Sequence, residues 1–239
     1  FDMDGNLLST YDPFELDDGS DGFAGLGEVS WGIELYGTNE ENVKVYFAVW
    51  NYLENSSIWS IDLDINGEFY GEEEFCFQIP ALSGSHPVSD LTFDSFGSMY
   101  LSEKTNSYAG DGYTIYGGAH NSRAFQYQEI GGVWTQTQQY LVGAYSIGNN
   151  TTGGVSLGNK NTEDGYECDQ LAWFSGDCLG NPCSIYGAAG VPVDGNASIG
   201  ADASSIYIDV PVQTVFADKQ AFGDIEIWSE CEGCTDELA

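Results

Sequence analysis

The most distinctive chemistry in the sequence is a short acidic run. Asp62, Asp64 and Asn66 alternate along it, Gly67 follows and Glu73 closes it, which fits the calcium-loop pattern D-x-D-x-N-G-x5-E. Ca²⁺ prefers several oxygen ligands, alternate residues direct their oxygens toward one point, and glycine permits the sharp turn. The sequence therefore predicts a Ca²⁺ site, with the ligands Asp62, Asp64, Asn66, Glu68 and Glu73.

An acidic hairpin turn is the alternative explanation of this run. β-Strands are predicted on both sides of it, where an EF-hand would have helices, and Asn66-Gly67 is a favoured hairpin dipeptide. A second acidic loop, residues 17–22, is predicted to be a solvated connection. The two explanations of the 62–73 run differ in whether its carboxylates converge on one point.

The cysteines offer a second candidate chemistry. They lie at positions 76, 168, 178, 183, 231 and 234, and an even number clustered late in the chain favours a disulfide framework. We expect Cys231 with Cys234, or Cys178 with Cys183, to be oxidised, because short spacing keeps the thiols close. A zinc site built from the same two pairs is the alternative, but no zinc-knuckle sequence surrounds either pair.

Signatures of common catalytic chemistries are absent from the sequence. His86 and His120 are the only histidines, and no H-E-x-x-H, G-x-S-x-G or P-loop pattern occurs. His120, Asn121 and Arg123 form a polar cluster where a loop enters a strand, and we expect that cluster to be structural. Paired carboxylates for glycoside cleavage cannot be picked out among 38 acidic residues. The sequence therefore assigns no catalytic residue.

Aromatic residues beside glycine-rich stretches leave two interpretations open. They could stack on sugar rings, or they could fill the space between sheets. The residues concerned are Tyr108, Tyr113, Tyr116 and Trp134.

Charge excludes several classes of partner. The 239 residues include 38 Asp and Glu against 5 Lys and Arg, a formal net charge of −33. Nucleic-acid binding needs clustered basic residues, and an anionic membrane surface would repel this chain. The sequence contains no apolar run of about 18 residues, so no membrane-spanning helix is predicted. A hydrophobic content of 42% with 14% aromatic residues nevertheless predicts a folded domain.

Several features favour an extracellular or cell-surface location. The chain opens with Phe1-Asp-Met-Asp4, without an initiator methionine or a signal peptide, so we expect a mature or excised fragment. The cysteine count suits an oxidising compartment. Glycosylation acceptor patterns begin at Asn55, Asn149, Asn150 and Asn196.

The elements that must position these groups are predicted to be β-strands. Apolar and polar residues alternate in several β-branched or aromatic segments, and 31 glycines with turn dipeptides separate them. The predicted strands are 43–50, 57–63, 91–93, 98–101, 124–127, 184–186, 205–209 and 224–228. Little helix is expected, so the fold class is all-β.

A strand–turn–strand unit recurs along the chain. The segments 57–69, 123–134 and 184–195 share this form. If Ile58, Ala124 and Ile185 are equivalent, the repeat is about 60–70 residues, longer than the usual propeller blade of about 40–50. Thr105 to Asn121 is then the obvious insertion.

One segment resembles the blade signature of NHL-type and gluconolactonase-like β-propellers of the kind found in bacterial surface proteins. It runs from Val88 to Glu103: an apolar strand ending in Asp, a turn closing on Gly, and an aromatic strand. Residues 1–8 are similar to a truncated copy. The segments 153–155, 168–173, 218–219 and 223–227 are similar to late parts of such surface propellers.

This resemblance implies a β-propeller of antiparallel four-stranded blades over residues 1–228, followed by a cysteine-containing tail, 229–239. Phe93, Tyr100, Phe125 and Trp173 would pack between the blades. The chain departs from the family in holding fewer than four full repeats, too few for an ordinary closed propeller. We therefore expect shorter blades, or a part of a larger propeller.

The resemblance also directs the expectation about function. We expect a secreted or surface-attached, non-enzymatic module for adhesion, assembly or surface-layer structure, whose partners are other surface proteins, carbohydrate or copies of itself. The alternative is a metal-dependent hydrolase or lactonase of the gluconolactonase-like kind, in which carboxylates and Asn residues hold a metal in a central channel. Asp90 and Asp94 fall in the matching repeat.

Overall fold

The structure, a computed structural model, describes residues 5–11, 13, 30–39, 41–50, 55–80, 86–104, 121–143, 148–162, 165–179, 186–195, 206–208 and 225. Of residues 159–162, 165–168, 186 and 206–208 it describes the backbone alone. The strands of these ranges are β1 (Ser30–Gly37), β2 (Val43–Val49), β3 (Ser57–Leu63), β4 (Phe69–Gln78), β5 (Val88–Phe93), β6 (Met99–Glu103), β7 (Ala124–Ile130), β8 (Val133–Tyr140), β9 (Thr151–Thr162), β10 (Gly165–Gly176), β11 (Tyr186–Pro192) and β12 (Ile206–Ile208).

The strands form three sheets, each a four-stranded antiparallel meander. Sheet 1 has the order β1-β2-β3-β4, sheet 2 the order β5-β6-β7-β8, and sheet 3 the order β12-β11-β10-β9. Strands that are consecutive in sequence are therefore neighbours throughout, as short hairpin connections require. The all-β expectation is confirmed. No helix in the described ranges is long and apolar enough to cross a bilayer.

The strand–turn–strand repeat predicted from the sequence corresponds to the last two strands of sheets 1 and 2. Ile58 is the second residue of β3 and Ala124 is the first residue of β7, which are the third strands of their sheets. Ile185 lies outside the described residues, directly before β11, the third strand of sheet 3. The long period arises because each unit is a complete four-stranded meander.

Sheet 2 is packed on both faces. Met99 and Leu101 of β6 join a core with sheet 1 that contains Ile58 and Phe77. Tyr100, which lies between them and points the other way, joins a core with sheet 3. Side chains alternate along a strand, so a strand buried on both faces is apolar at successive positions. The Met99-Tyr-Leu101 run reflects this two-sided burial, as do residues 45–49 of β2, which contribute alternately to the first core and to a third core.

The first strands of the three sheets lie next to one another, with β5 in contact with both β1 and β9. Their backbones approach closely. A Cβ at Gly32 of β1 would lie 2.9 Å from the backbone nitrogen of Asp90, and a Cβ at Gly153 of β9 would meet Ser89. Ser89 also donates a hydrogen bond to the Gly153 carbonyl at 2.9 Å. Glycine is needed at both positions because a side chain would separate the strands.

The aromatic residues expected between sheets have different outcomes. Tyr100 and Phe125 are buried in the two cores, and Phe93 is partly buried against the first of them. Trp173 is half-buried, and its neighbour Phe174 is the buried core residue of β10. All of the predicted insertion 105–121 except Asn121, nearly all of the predicted strand 224–228 and the tail 229–239 lie outside the described residues.

Candidate functional site

Residues 64–68 of the predicted calcium run 62–73 close the hairpin between β3 and β4, and the rest of the run lies in those two strands. The Asp64 N–H donates to the Glu68 carbonyl at 2.8 Å, and the Gly67 N–H donates to the Asp64 carbonyl at 2.9 Å. Asp64 Oδ1 accepts the N–H groups of Asn66 and Glu68 at 2.8 and 2.9 Å. The bond from Glu68 is the main reason why the pKa of Asp64 is lowered. The carboxylate thus organises its own loop.

Two other predicted calcium ligands have different partners. Asp62 faces Lys44, whose Nζ lies 3.3 Å from Asp62 Oδ1 and 2.8 Å from Glu74 Oε2. Glu73 accepts a hydrogen bond from the hydroxyl of Tyr11. The two carboxylates therefore engage residues on different parts of sheet 1 and do not converge with Asp64.

The remaining predicted ligands, Asn66 and Glu68, are exposed at the hairpin tip. Asn66 Nδ2 donates to Asp64 Oδ2 at 3.1 Å, so both carboxylate oxygens of Asp64 are used within the loop. In the part of the chain that the structure describes, no group of three or more His, Cys, Asp or Glu side chains is arranged to hold a metal ion. The hairpin explanation accounts for the loop geometry, and Ca²⁺ binding stays a prediction.

The hairpin between β5 and β6 contains the same loop, but here the organising aspartate is buried. Asp94 Oδ1 accepts the N–H groups of Phe96 and Ser98 at 2.9 and 2.8 Å, and Gly97 has a φ of +84°. Asp94 is 7% exposed. Its Oδ2 accepts a hydrogen bond from Tyr100 at 3.1 Å. The Asp and Gly of the blade signature are therefore explained by turn geometry.

Asp90, the other aspartate in the matching repeat, connects two sheets. Its Oδ2 accepts the N–H of Val155 in β9 at 2.6 Å, and its Oδ1 accepts the N–H of Leu91 at 2.9 Å. Both oxygens are thus bound to backbone donors. This arrangement joins the first strands of sheets 2 and 3.

A pocket of about 520 Å³ opens at the hairpin end of sheet 1. Tyr36 of β1, Tyr46 of β2 and Tyr70 of β4 line it. The ionisable side chains in the lining are Glu41, Lys44, Asp62, Asp64 and Glu129. Two of the predicted calcium ligands therefore border this pocket, and Glu129 reaches it from sheet 2. We call it the tyrosine pocket.

The charge in the tyrosine pocket is unbalanced. Partial burial lowers the pKa of Lys44, but its bonds to Glu74 and Asp62 outweigh this effect, so the pKa is raised and Lys44 remains a cation. Burial raises the pKa of Tyr46 to about 12 and also raises that of Tyr36. At neutral pH the pocket therefore presents tyrosine hydroxyls, one ammonium and several carboxylates.

A buried ion pair lies in sheet 2. Arg123 Nε is 2.8 Å from Glu103 Oε2, and Arg123 Nη2 is 2.6 Å from Glu103 Oε1. The residues are 7% and 0% exposed, and the guanidinium lies over the ring of Phe125 at 4.7 Å. Burial raises the pKa of Glu103, and the bonds from Arg123 oppose that shift. The structural role expected for Arg123 is consistent with this environment.

The sequence analysis did not identify Glu103 as the partner of Arg123, although one signal was present. Arg123 is the only arginine in a chain with 38 acidic residues, and it stands at the start of a predicted strand. A buried guanidinium requires a carboxylate, since an unpaired charge is costly in the interior. Nothing in the sequence said which of the carboxylates it was.

His86 lies beside this pair and is 3% exposed. Neither of its ring nitrogens has a hydrogen-bond partner among the described residues. Burial, with a smaller contribution from the positive charge of Arg123, lowers the pKa of His86 to about 4. The imidazole is therefore neutral at pH 7.

Two of the four glycosylation acceptor patterns begin at buried asparagines. Asn149 is 5% exposed and Asn150 is 1% exposed. Asn150 Nδ2 donates to the Val142 carbonyl at 2.8 Å, and Asn149 Oδ1 accepts from Gln139 at 3.2 Å. A glycan is attached to Nδ2, so on Asn150 it would displace the bond to Val142, and at either position it would need room in the folded interior. Asn55 is half-buried, and Asn196 lies outside the described residues.

Of the six cysteines, Cys76 is a half-buried free thiol whose pKa is raised mainly by burial. Cys178 is buried, whereas Cys183, Cys231 and Cys234 lie outside the described residues. The predicted pairs, and the zinc alternative, therefore stay predictions.

Comparison with known proteins identifies no relative. No family model, curated protein or solved structure matches the chain. The interpretation of the site therefore rests on its own geometry.

Proposed function

We propose that this chain is a β-propeller-type, non-enzymatic module of an extracellular or cell-surface protein, used for adhesion, assembly or surface-layer structure. The observation that carries the proposal is the contact of β5 with both β1 and β9, the first strands of three successive meanders. Propellers place the first strand of each blade nearest the axis, so neighbouring first strands are what three consecutive blades require.

The partners proposed for the module are other surface proteins, carbohydrate or further copies of the chain. A net charge of −33 favours soluble, mutually repelling molecules, so self-assembly would need counter-ions or cationic partner groups. Ca²⁺ is the cation proposed from the sequence. A location outside the cell is supported by the same acidity and by the cysteine pattern.

The alternative, a metal-dependent hydrolase or lactonase, finds less support in the geometry. Asp90 and Asp94, the carboxylates that the resemblance marks, bind backbone N–H groups of their own hairpin or of β9. Carboxylates used in this way are not available to converge on one metal. No further observation favours the enzyme.

A paired assay separates the two functions. The purified chain is tested by analytical ultracentrifugation for self-association with 5 to 10 mM CaCl₂ or MgCl₂, and for retention on cells of the strain that produces it. In parallel it is assayed for hydrolysis of a panel of aldonolactones with the same metals. Self-association or specific retention without hydrolysis supports the proposal. Metal-dependent hydrolysis that is lost in Asp90→Asn, with the fold intact, would overturn it.

A further inference from the structure

We propose that the tyrosine pocket binds a primary alkylammonium ion, the chemical group of a lysine side chain. The proposal assigns a ligand class to a particular site and goes beyond the architecture of the module. It holds whether or not the module self-assembles, because it depends on sheet 1 and on Glu129 alone.

Size and shape suit a small organic ligand. The volume of about 520 Å³ falls within the range of ligand pockets, and it exceeds what a single metal ion requires. Tyr70 is 69% exposed, so its ring is accessible from the pocket mouth. Tyr36 and Tyr46 stack or tilt against Phe93 on one side, which fixes their orientation. The pocket therefore has aromatic walls that a hydrocarbon chain can contact.

The excess of carboxylates in the pocket lining predicts a cationic ligand. Four carboxylates, those of Glu41, Asp62, Asp64 and Glu129, face one ammonium, that of Lys44. Lys44 is already held by Asp62 and by Glu74. Among the described residues, the side chains of Glu41 and Glu129 make no hydrogen bond or ion pair. They are the acceptors left for a cation from solution.

The chain itself shows that this pocket accommodates an ammonium group. Lys44 Nζ lies 2.8 Å from Glu74 and 3.3 Å from Asp62, within hydrogen-bonding reach of both. Aromatic rings attract the same type of cation through their negative faces. A ligand with an ammonium head and an alkyl stem would use both features of the wall, the carboxylates and the tyrosine rings.

Two other ligand classes fit less well. A Ca²⁺ ion needs six to eight oxygens at one point, whereas Asp64 is occupied by its loop and Asp62 by Lys44. A neutral sugar would stack on tyrosine but would gain nothing from the excess of carboxylates. An anionic sugar would be repelled by them.

The test is a calorimetric titration with cadaverine and with Nα-acetyl-lysine N-methylamide in low salt. Glu129→Gln and Tyr70→Ala remove one acceptor and one ring. Glu68→Gln is the matched control, because it removes the same charge from an exposed position outside the pocket lining. The melting temperature of each variant establishes that it is folded. Both ligands should bind, and both pocket variants should weaken binding at least fivefold, with the control unchanged.

Comparison of the ligands shows whether binding requires the cation and whether the pocket prefers a lysine side chain or a free polyamine. Nα,Nε-diacetyl-lysine N-methylamide should not bind, because it lacks the cation. If the lysine amide binds and cadaverine does not, the pocket recognises lysine in a polypeptide, and the reverse result points to a free polyamine. The proposal is wrong if neither binds, if the acetylated ligand binds equally, or if Glu68→Gln weakens binding as much as Glu129→Gln. Displacement by CaCl₂ that clearly exceeds displacement by NaCl of the same ionic strength would indicate a divalent-cation site instead and would also contradict it.

Discussion

Sheets 1 and 2 contain the same two polar arrangements, a hairpin loop organised by an aspartate and a cation paired with a carboxylate, in different environments. Each has a hairpin loop organised by an aspartate, Asp64 in one and Asp94 in the other, with matching N–H bonds. Each also has a cation paired with carboxylate. Lys44 on sheet 1 borders an open pocket, whereas Arg123 on sheet 2 is buried with Glu103.

The difference shows that burial, and not residue type, determines whether a polar group is used within the fold or is available to a ligand. In sheet 2 the groups are enclosed between sheets 1 and 3, so each must satisfy the other. In sheet 1 the same chemistry meets solvent, which leaves carboxylates available for a ligand. The predictions below compare matched positions in the two sheets.

The largest effect is expected from breaking the buried pair. Arg123→Met leaves Glu103 as an unpaired charge in the interior and should lower the free energy of unfolding by about 3–5 kcal/mol. Lys44→Met, the matched change on sheet 1, should cost less than about 1 kcal/mol, since Lys44 is a partly exposed surface cation. Urea unfolding followed by tryptophan fluorescence measures both. Equal losses would show that the two environments do not differ as described.

The second effect is the pH dependence that comes from His86. The unfolded chain takes up a proton on this imidazole below about pH 6.5, whereas the folded chain does so only below about 4. The unfolded state therefore binds more protons in this window, and stability should fall by about 3 kcal/mol as the pH drops from 6.5 to 4.

The control for this prediction is His86→Leu, in which that part of the pH dependence should disappear. Glu103 acts in the opposite direction, because its raised pKa favours the folded state as the pH falls below that value. The comparison must therefore be the difference between the two proteins at each pH. An unchanged pH profile in His86→Leu would rule out His86 as the source.

A third prediction concerns the twin loops. Asp94→Ala removes the acceptor for two backbone N–H groups and for Tyr100 in a buried site, and should cost about 1–3 kcal/mol. Asp64→Ala leaves the equivalent N–H groups to bond with water, because Asp64 lies in an exposed loop, so it should cost less than Asp94→Ala. Thermal unfolding of the two variants at pH 7 gives the comparison. A larger loss for Asp64→Ala would contradict it.

Binding of Ca²⁺ would change the comparison between Asp64→Ala and Asp94→Ala. If the 62–73 run binds Ca²⁺, a hundredfold excess over the dissociation constant raises stability by about 2.7 kcal/mol. Thermal melts with CaCl₂ should then show a shift that Asp64→Ala removes. An equal shift with MgCl₂, or with NaCl at the same ionic strength, would mean charge screening. No shift at millimolar Ca²⁺ would leave the loop a hairpin turn.

The smallest effect is expected at the cysteines. Oxidation of Cys178 with Cys183, or of Cys231 with Cys234, closes only a short loop and so stabilises little. Titration of free thiols in the unfolded, unreduced protein should find few thiols, and Cys76 should be among them. Six free thiols would remove the argument for an oxidising compartment.

The alternation of β-branched and aromatic residues was enough to predict the all-β class and the strand at 57–63, which matches β3. The strands β9 and β10 were not predicted. The start of β9, Thr151-Thr-Gly-Gly-Val155, has little of the apolar alternation that indicates a strand. β9 packs against β5 and β6, and β10 pairs with β9 and β11. Long-range contacts of that kind leave no local signal.

Only part of the candidate site could be predicted from the sequence, again because long-range contacts leave no local signal. Asp62 and Asp64 were identified from their spacing, and both border the tyrosine pocket. The spacing could not show that Lys44, from β2, would engage Asp62 on the adjacent strand. Nor could it bring Glu129, more than 60 residues away in sequence, to the same pocket. Both contacts follow from strand pairing and from the packing of sheets 1 and 2.

Hydrogen–deuterium exchange of individual amides tests the central contrast most directly. The N–H of Ser98 and the N–H of Glu68 make nearly identical bonds to an aspartate, 2.8 and 2.9 Å long, but the first bond is buried and the second is exposed. The account predicts that the Ser98 amide exchanges at least a hundredfold more slowly than the Glu68 amide, because exposing the buried bond between Ser98 and Asp94 requires sheet 2 to open locally. Equal protection of the two amides would contradict it.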